Sequence, residues 1–199
     1  MKYVSSDLLQ NLNAQAEQDI IMATGEWQLL PTEFFSAQPG INQWSAAQCL
    51  EHLNSYGRYY LPAIEKAISN AAHVKISGQF KSGLLGNYFY KIMLTDNKGQ
   101  VKKRMKAPKD HRPAAILNVA QVLNEFISQQ EKLLQLIDRA AGINLAEARV
   151  PISIAPFIKL KLGDTFLFYT AHLQRHIMQA SRALQVAGYL PPVNKYPVV

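Results

Sequence analysis

Four stretches of this chain repeat apolar residues at helical spacing over roughly 20 residues or more, and almost none alternates as a strand does. That pattern restricts the chain to helix-on-helix packing. The first stretch begins near Ser5 or Ser6, whose hydroxyls can cap, and carries Leu8, Leu9, Leu12, Ala16, Ile20 and Met22 or Ala23 up to the weakening Thr24-Gly25. The proline- and glycine-punctuated PTEFFSAQPGINQ separates it from a second start at Trp44-Ser45. There Ser45 and Gln48 form a capping box, and Trp44 can staple onto Cys49. This helix continues through LEHLNSYGRYYLPAIEKAISNAA, with Pro62 as a point of bending.

A third helix is expected from Pro113, favoured at the first helical position, through Ile116, Val119, Leu123, Phe126 and Leu133 to about Ala141, with Gly142 as the stop. A fourth starts at Asp164 or Thr165 and ends at Gly188, with Tyr189 able to touch Leu184 before Pro191-Pro192. Between the second and third, GLLGNYFYKIML reads as a short extra helix. RVPISIAP alternates like a strand, but its two prolines reduce it to an extended loop. Helices of this length span about 30 to 40 Å and pack most simply as an all-α, antiparallel four-helix bundle. The 199 residues suit one domain, 1–199, with a sizeable core.

No apolar run approaches the roughly 20 residues of a membrane span, so integral membrane association is not expected. The single cysteine excludes an intramolecular disulfide framework, and MKYVSSDLLQ lacks a long apolar leader segment, which makes the cytoplasm the expected compartment. The net charge is +7, yet Lys98, Lys102, Lys103, Arg104, Lys106, Lys109 and Arg112 against Asp110 alone place +6 of it in one loop. A charge run on a loop is usually just solvated; the other reading makes Lys102, Lys103 and Arg104 candidate anion contacts, for an anionic substrate, a lipid headgroup or a polyanion, with nucleic acid not the expected partner.

The chemistry lies in the histidines. His172 and His176 stand four residues apart on one helical face, close enough to ligate one metal ion. His52 shares a stripe with Tyr56 and Tyr59, and supplies a third imidazole if the second and fourth helices face each other. Three nitrogens with open positions describe a catalytic or substrate-binding metal site rather than a closed structural one. Gln179, Tyr56 and Tyr169 lie near enough in helical phase to orient an imidazole or meet substrate. His73 and His111 read as loop residues. Neither a phosphate-binding glycine loop, a G-x-S-x-G elbow, a CxxC pair nor a Glu-x-x-His motif occurs.

The segments WSAAQCLEHL and AHLQRHIMQ, with a KAPKDHRP loop before the third helix and GDTF at the entry to the last, resemble the DinB-like (YfiT-like) metal-binding four-helix superfamily. The resemblance implies a divalent ion held by His52, His172 and His176, with Arg175-His176 and Gln179 matching the terminal motif. It further implies homodimers. Within that superfamily the maleylpyruvate isomerase and mycothiol- or bacillithiol-transferase group implies metal activation of a low-molecular-weight thiol toward a small-molecule substrate. Zinc, nickel and iron all suit three imidazoles. The histidine faces lack an acidic residue, so no general base is nominated, and thiol transfer is favoured over water-activating hydrolysis. A non-enzymatic metal-binding or stress-related bundle, and a polyanion-binding module built on Lys98 to Arg112, are the other functional classes.

Overall fold

The computed structural model describes residues 1–71, 77–95 and 105–190. It is mostly helical. The elements in order are β1 (Lys2–Val4), α1 (Ser5–Gly25), α2 (Thr32–Ser36), α3 (Ala46–Ala71), β2 (Gln79–Lys81), α4 (Leu84–Met93), α5 (Val119–Ala140), β3 (Arg149–Ile152), β4 (Ala155–Lys161) and α6 (Leu162–Val186). Among the described residues no helix is long and apolar enough to cross a membrane.

Local chemistry accounts for several boundaries. The Ser45 amide donates to Gln48 Oε1 at 3.0 Å and the Gln48 amide to Ser45 Oγ at 3.3 Å, so the capping box opens α3 as its spacing requires. Helix α3 continues unbroken through Pro62. At the far end of α6 the Tyr189 amide bonds the Leu184 carbonyl and the Gly188 amide that of Gln185. With Gly188 at φ 103°, this is a Schellman termination. The short helix expected between the second and third long helices is α4; Asp164 accepts from Ser82 Oγ at 2.5 Å and from the Gly83 amide at 3.0 Å at its start.

Four expectations about element boundaries and types need correction. Ser5 and Ser6 do not cap α1: Ser5 Oγ donates to the Ser77 carbonyl and Ser6 Oγ to Asp7, while β1, paired with β2, fixes the first turn. The third long helix begins at Val119, not Pro113, because the Asn118 side chain accepts the Gln121 amide, and Ile116 is left 92% exposed in the preceding loop. Helix α6 starts two residues before Asp164, directly out of β4. RVPISIAP is not a loop. It supplies β3 and the first residues of β4, and in a two-stranded hairpin every strand is an edge, so Pro151 opposite Lys159 costs no inner ladder bond.

Side-chain pairs set the directions of the long helices. Asn54 meets the Val122 carbonyl near the starts of α3 and α5, and Arg139 meets Ser69 near their ends, so these neighbours run parallel. Asp19 with Gln174, then Glu26 with Tyr189, make α1 and α6 parallel as well. By contrast Asn13 with Asp138 and Gln28 with Asn124 oppose α1 and α5. His52 with His172 and Tyr60 with Phe168 oppose α3 and α6. The all-antiparallel expectation is thus corrected: the connection over residues 72–118 is long enough to return the chain along the bundle before α5 begins.

The core is continuous, running from Leu12 and Ala16 of α1 through Leu53 and Ile64 of α3 and Phe126 and Leu136 of α5 to Phe166 and Leu173 of α6. Gly163 lies close against β2. A Cβ there would stand 2.7 Å from the ring of the fully buried Phe80. Gly163→Ala is therefore expected to destabilise the fold by about 2 kcal/mol through overpacking. Urea unfolding measures this, and a loss below about 0.5 kcal/mol, within the ordinary range for surface changes, would mean that β2 slides away freely.

Candidate metal centre

His52 stands in the second turn of α3, and His172 and His176 stand one turn apart on α6. Because α3 and α6 pack in opposite directions, the three imidazoles meet, with ring centroids 5.1, 4.5 and 4.8 Å apart. One ring nitrogen from each lies within 4.8 Å of the others.

Hydrogen bonds decide which nitrogens face inward. His52 Nδ1 is 2.6 Å from the His111 carbonyl, which only accepts, so Nδ1 carries the proton and Nε2 presents its lone pair. His176 Nδ1 donates likewise to Gln179 Oε1 at 3.0 Å. His52 Nε2 and His172 Nε2 are 3.2 Å apart. Two nitrogens at ordinary zinc–imidazole length on a tetrahedral ion would be separated by about 3.3 Å. His172 Nδ1 is buried with no hydrogen-bond partner among the described residues, and its ring packs on Tyr56, centroids 4.3 Å away, and parallel to Phe168 at 5.9 Å. The donor set could therefore hold a metal ion.

Burial holds all three rings in the neutral, ligating form. Desolvation pulls His52 down to about 4 and His176 to about 3, and carries His172 well below the usual histidine value. The positive charge of Arg175 acts in the same direction on each.

The cluster opens onto a cavity of about 1440 Å³. Trp44 forms one wall, its ring against His52 and His176. Tyr56 forms another, and burial pushes its phenol up to about 12. No aspartate or glutamate among the described residues lines the cavity. Glu51 instead pairs with Arg58 at 2.9 Å, and Asp164 is sequestered at the start of α4.

Of the residues singled out beyond the histidine triad, Gln179 and Tyr56 are brought to the cluster. Tyr169 is not: it is fully buried with its ring 5.9 Å from that of Tyr60. Lys102, Lys103 and Arg104, like His73, lie outside the described residues. His111 is the residue that spacing overlooks. It contributes its backbone carbonyl to His52, while its buried ring bonds Ser55 Oγ at 3.0 Å and packs on Tyr56 at 3.9 Å. A carbonyl is common to every residue type, so composition carries no trace of that role.

No curated protein and no solved structure matches the chain. Residues 15–180 do match the model of the DinB superfamily, a span that contains α3, most of α6 and all three clustered histidines. With the helical fold and the convergence of those histidines, the match over most of the chain shows that this protein belongs to the DinB superfamily.

Proposed function

We propose that this protein is a divalent-metal-dependent enzyme in which His52, His172 and His176 hold the ion and a low-molecular-weight thiol is activated for transfer to a small electrophile. The observation that supports this reading is the inward convergence of neutral imidazoles from α3 and α6 at one end of a large cavity. A divalent ion bound there would supply the positive charge that lowers the pKa of a thiol or a water molecule.

The chain's own residues divide the remaining work. The His111 carbonyl and Gln179 fix the tautomers of His52 and His176. Trp44 and Tyr56 pack against the His52 ring and help to hold its orientation. The cavity has no carboxylate among its described lining residues to serve as a general base. A thiol, with an ordinary pKa of about 8.5, needs far less help to ionise than water does. Thiol transfer is accordingly favoured over hydrolysis.

The test combines metal content with turnover. Protein loaded with zinc, nickel or iron is expected to consume a small thiol together with a chromogenic aryl chloride, to stop when chelated, and to recover on metal return. Bound metal without thiol-dependent turnover would instead support a non-enzymatic metal-binding bundle.

A further inference from the structure

Both two-stranded sheets and the outer side of α4 join on one surface, and its composition is one-sided. Residues 1–6, 77–95 and 149–163 contain Lys2, Lys81, Lys91, Arg149, Lys159 and Lys161 and not one aspartate or glutamate. Strand alternation sorts them. In β3 and β4 the paired Val150 and Leu160 are buried, so Arg149, Lys159 and Lys161 take the opposite face, and Phe157, two residues before Lys159, joins them. In β1 and β2 Phe80 is buried and the paired Lys2 and Lys81 are exposed. The Lys161 ammonium donates to the Lys81 carbonyl at 2.9 Å and links the two sheets. Helix α4 follows β2 directly, packs beside β4, and exposes Leu84, Tyr88 and Lys91 at steps of four and three residues.

The apolar members of this surface project from it: Leu84 is 94% exposed and Phe157 86%. The strand pair that carries Phe157 is fixed to α3, where Tyr59 Oη donates to the Ile152 carbonyl and Tyr60 Oη accepts from the Ser153 amide. Nor is the charge cancelled in place. Ion pairs among the described residues lie within and between α3 and α5, and none includes the six cations. Asp164, buried beneath the face and bonded to Ser82 and Gly83, offsets one of them. Asp7 and Glu147 stand just outside the three segments in the chain.

We propose that this face docks peripherally on an anionic lipid bilayer, with Leu84 and Phe157 entering the boundary between headgroups and acyl chains and the cations meeting lipid phosphates and carboxylates. Apolar tips set among lysines suit that boundary, because the tips leave water there while the long lysine stems reach back to the headgroups. The positive excess supplies the attraction to anionic lipid. A nucleic acid would account for the cations but leave Leu84 and Phe157 in water.

Cosedimentation of the full chain with vesicles tests this, comparing phosphatidylcholine alone with phosphatidylcholine mixed with one-third phosphatidylserine. Binding to the anionic vesicles is expected to be at least about tenfold tighter and to weaken as salt rises. Lys81→Gln/Lys159→Gln should lose about tenfold on those vesicles, and Leu84→Ser/Phe157→Ser about as much. All four positions are exposed, and an unchanged thermal midpoint checks that each variant is folded. Lys102→Gln/Lys103→Gln/Arg104→Gln, which removes charge from the other basic segment, should bind as the wild type does. No preference for anionic vesicles, wild-type binding by either face variant, or a loss confined to the 102–104 variant would each overturn the proposal. So would a wild-type dimer that dissociates in Leu84→Ser/Phe157→Ser by sedimentation velocity, since a second copy of the chain would then cover the face.

Discussion

His172→Ala is expected to leave the purified protein with less than a tenth of the metal carried by the wild type, which should hold close to one equivalent when isolated without chelator or histidine tag. Removing one of three protein ligands is a larger loss than removing an orienting partner, which alone weakens metal binding by about 10- to 100-fold. Affinity should accordingly fall by about a hundredfold or more. His52→Ala and His176→Ala should behave alike, because all three donor atoms fall within 4.8 Å. His111→Ala provides a contrast. It keeps the carbonyl that accepts from His52 Nδ1 and loses only the ring contacts with Ser55 and Tyr56, so most of the metal should remain. Inductively coupled plasma mass spectrometry on the four variants measures both effects. Retention of a full equivalent by His172→Ala would place the ion elsewhere.

The second large effect concerns stability and pH, and it arises away from the cavity. Asp19 of α1 is 3% exposed and faces α6, where Gln174 Nε2 lies 3.0 Å from each carboxylate oxygen. Burial pushes this carboxyl up to about 7, and the bonds from Gln174 and Gln15 only partly oppose the shift. The unfolded chain ionises Asp19 near the ordinary aspartate value of about 4. Its stabilising contribution is thus fully present below about pH 4 and is lost as pH rises toward about 7. Asp19→Asn keeps the shape and removes the charge, so at pH 8 it should raise stability by roughly 2 to 4 kcal/mol, and at pH 4 change it little. Urea unfolding of both proteins across this range gives the measurement. A wild type and variant with parallel pH profiles would show that Asp19 ionises in the folded state as easily as in the unfolded chain.

Much of this architecture was legible as spacing. The reciprocal Ser45 and Gln48 pair, the four-residue step from His172 to His176 and the Gly188 stop each rest on contacts within two helical turns, which adjacent residues determine. Misreadings arose where two local signals competed. Pro113 offered a plausible first helical position, yet Asn118 with Gln121 three residues on made the effective cap. The prolines of β3 argued against a strand, but that rule applies to inner strands and the hairpin has none. Helix direction and the part played by the His111 carbonyl depend on how distant segments meet. Neither leaves a local pattern.

Parallel neighbours also bear on how fast the protein folds. In a bundle of successive hairpins, each helix packs first on the one just before it in the chain. Here Asn54 waits for Val122, Asn13 for Asp138 and His52 for His172, partners separated by 68, 125 and 120 positions. Each such closure must order a long stretch of chain before the apolar contacts reward it. Relative contact order is therefore high for an all-helical protein, and refolding should be slower than the microsecond to millisecond range usual for local helical bundles. The same long-range closure that assembles the histidine cluster makes it one of the last features to form, so the folding chain acquires its capacity to hold an ion only when the topology is complete.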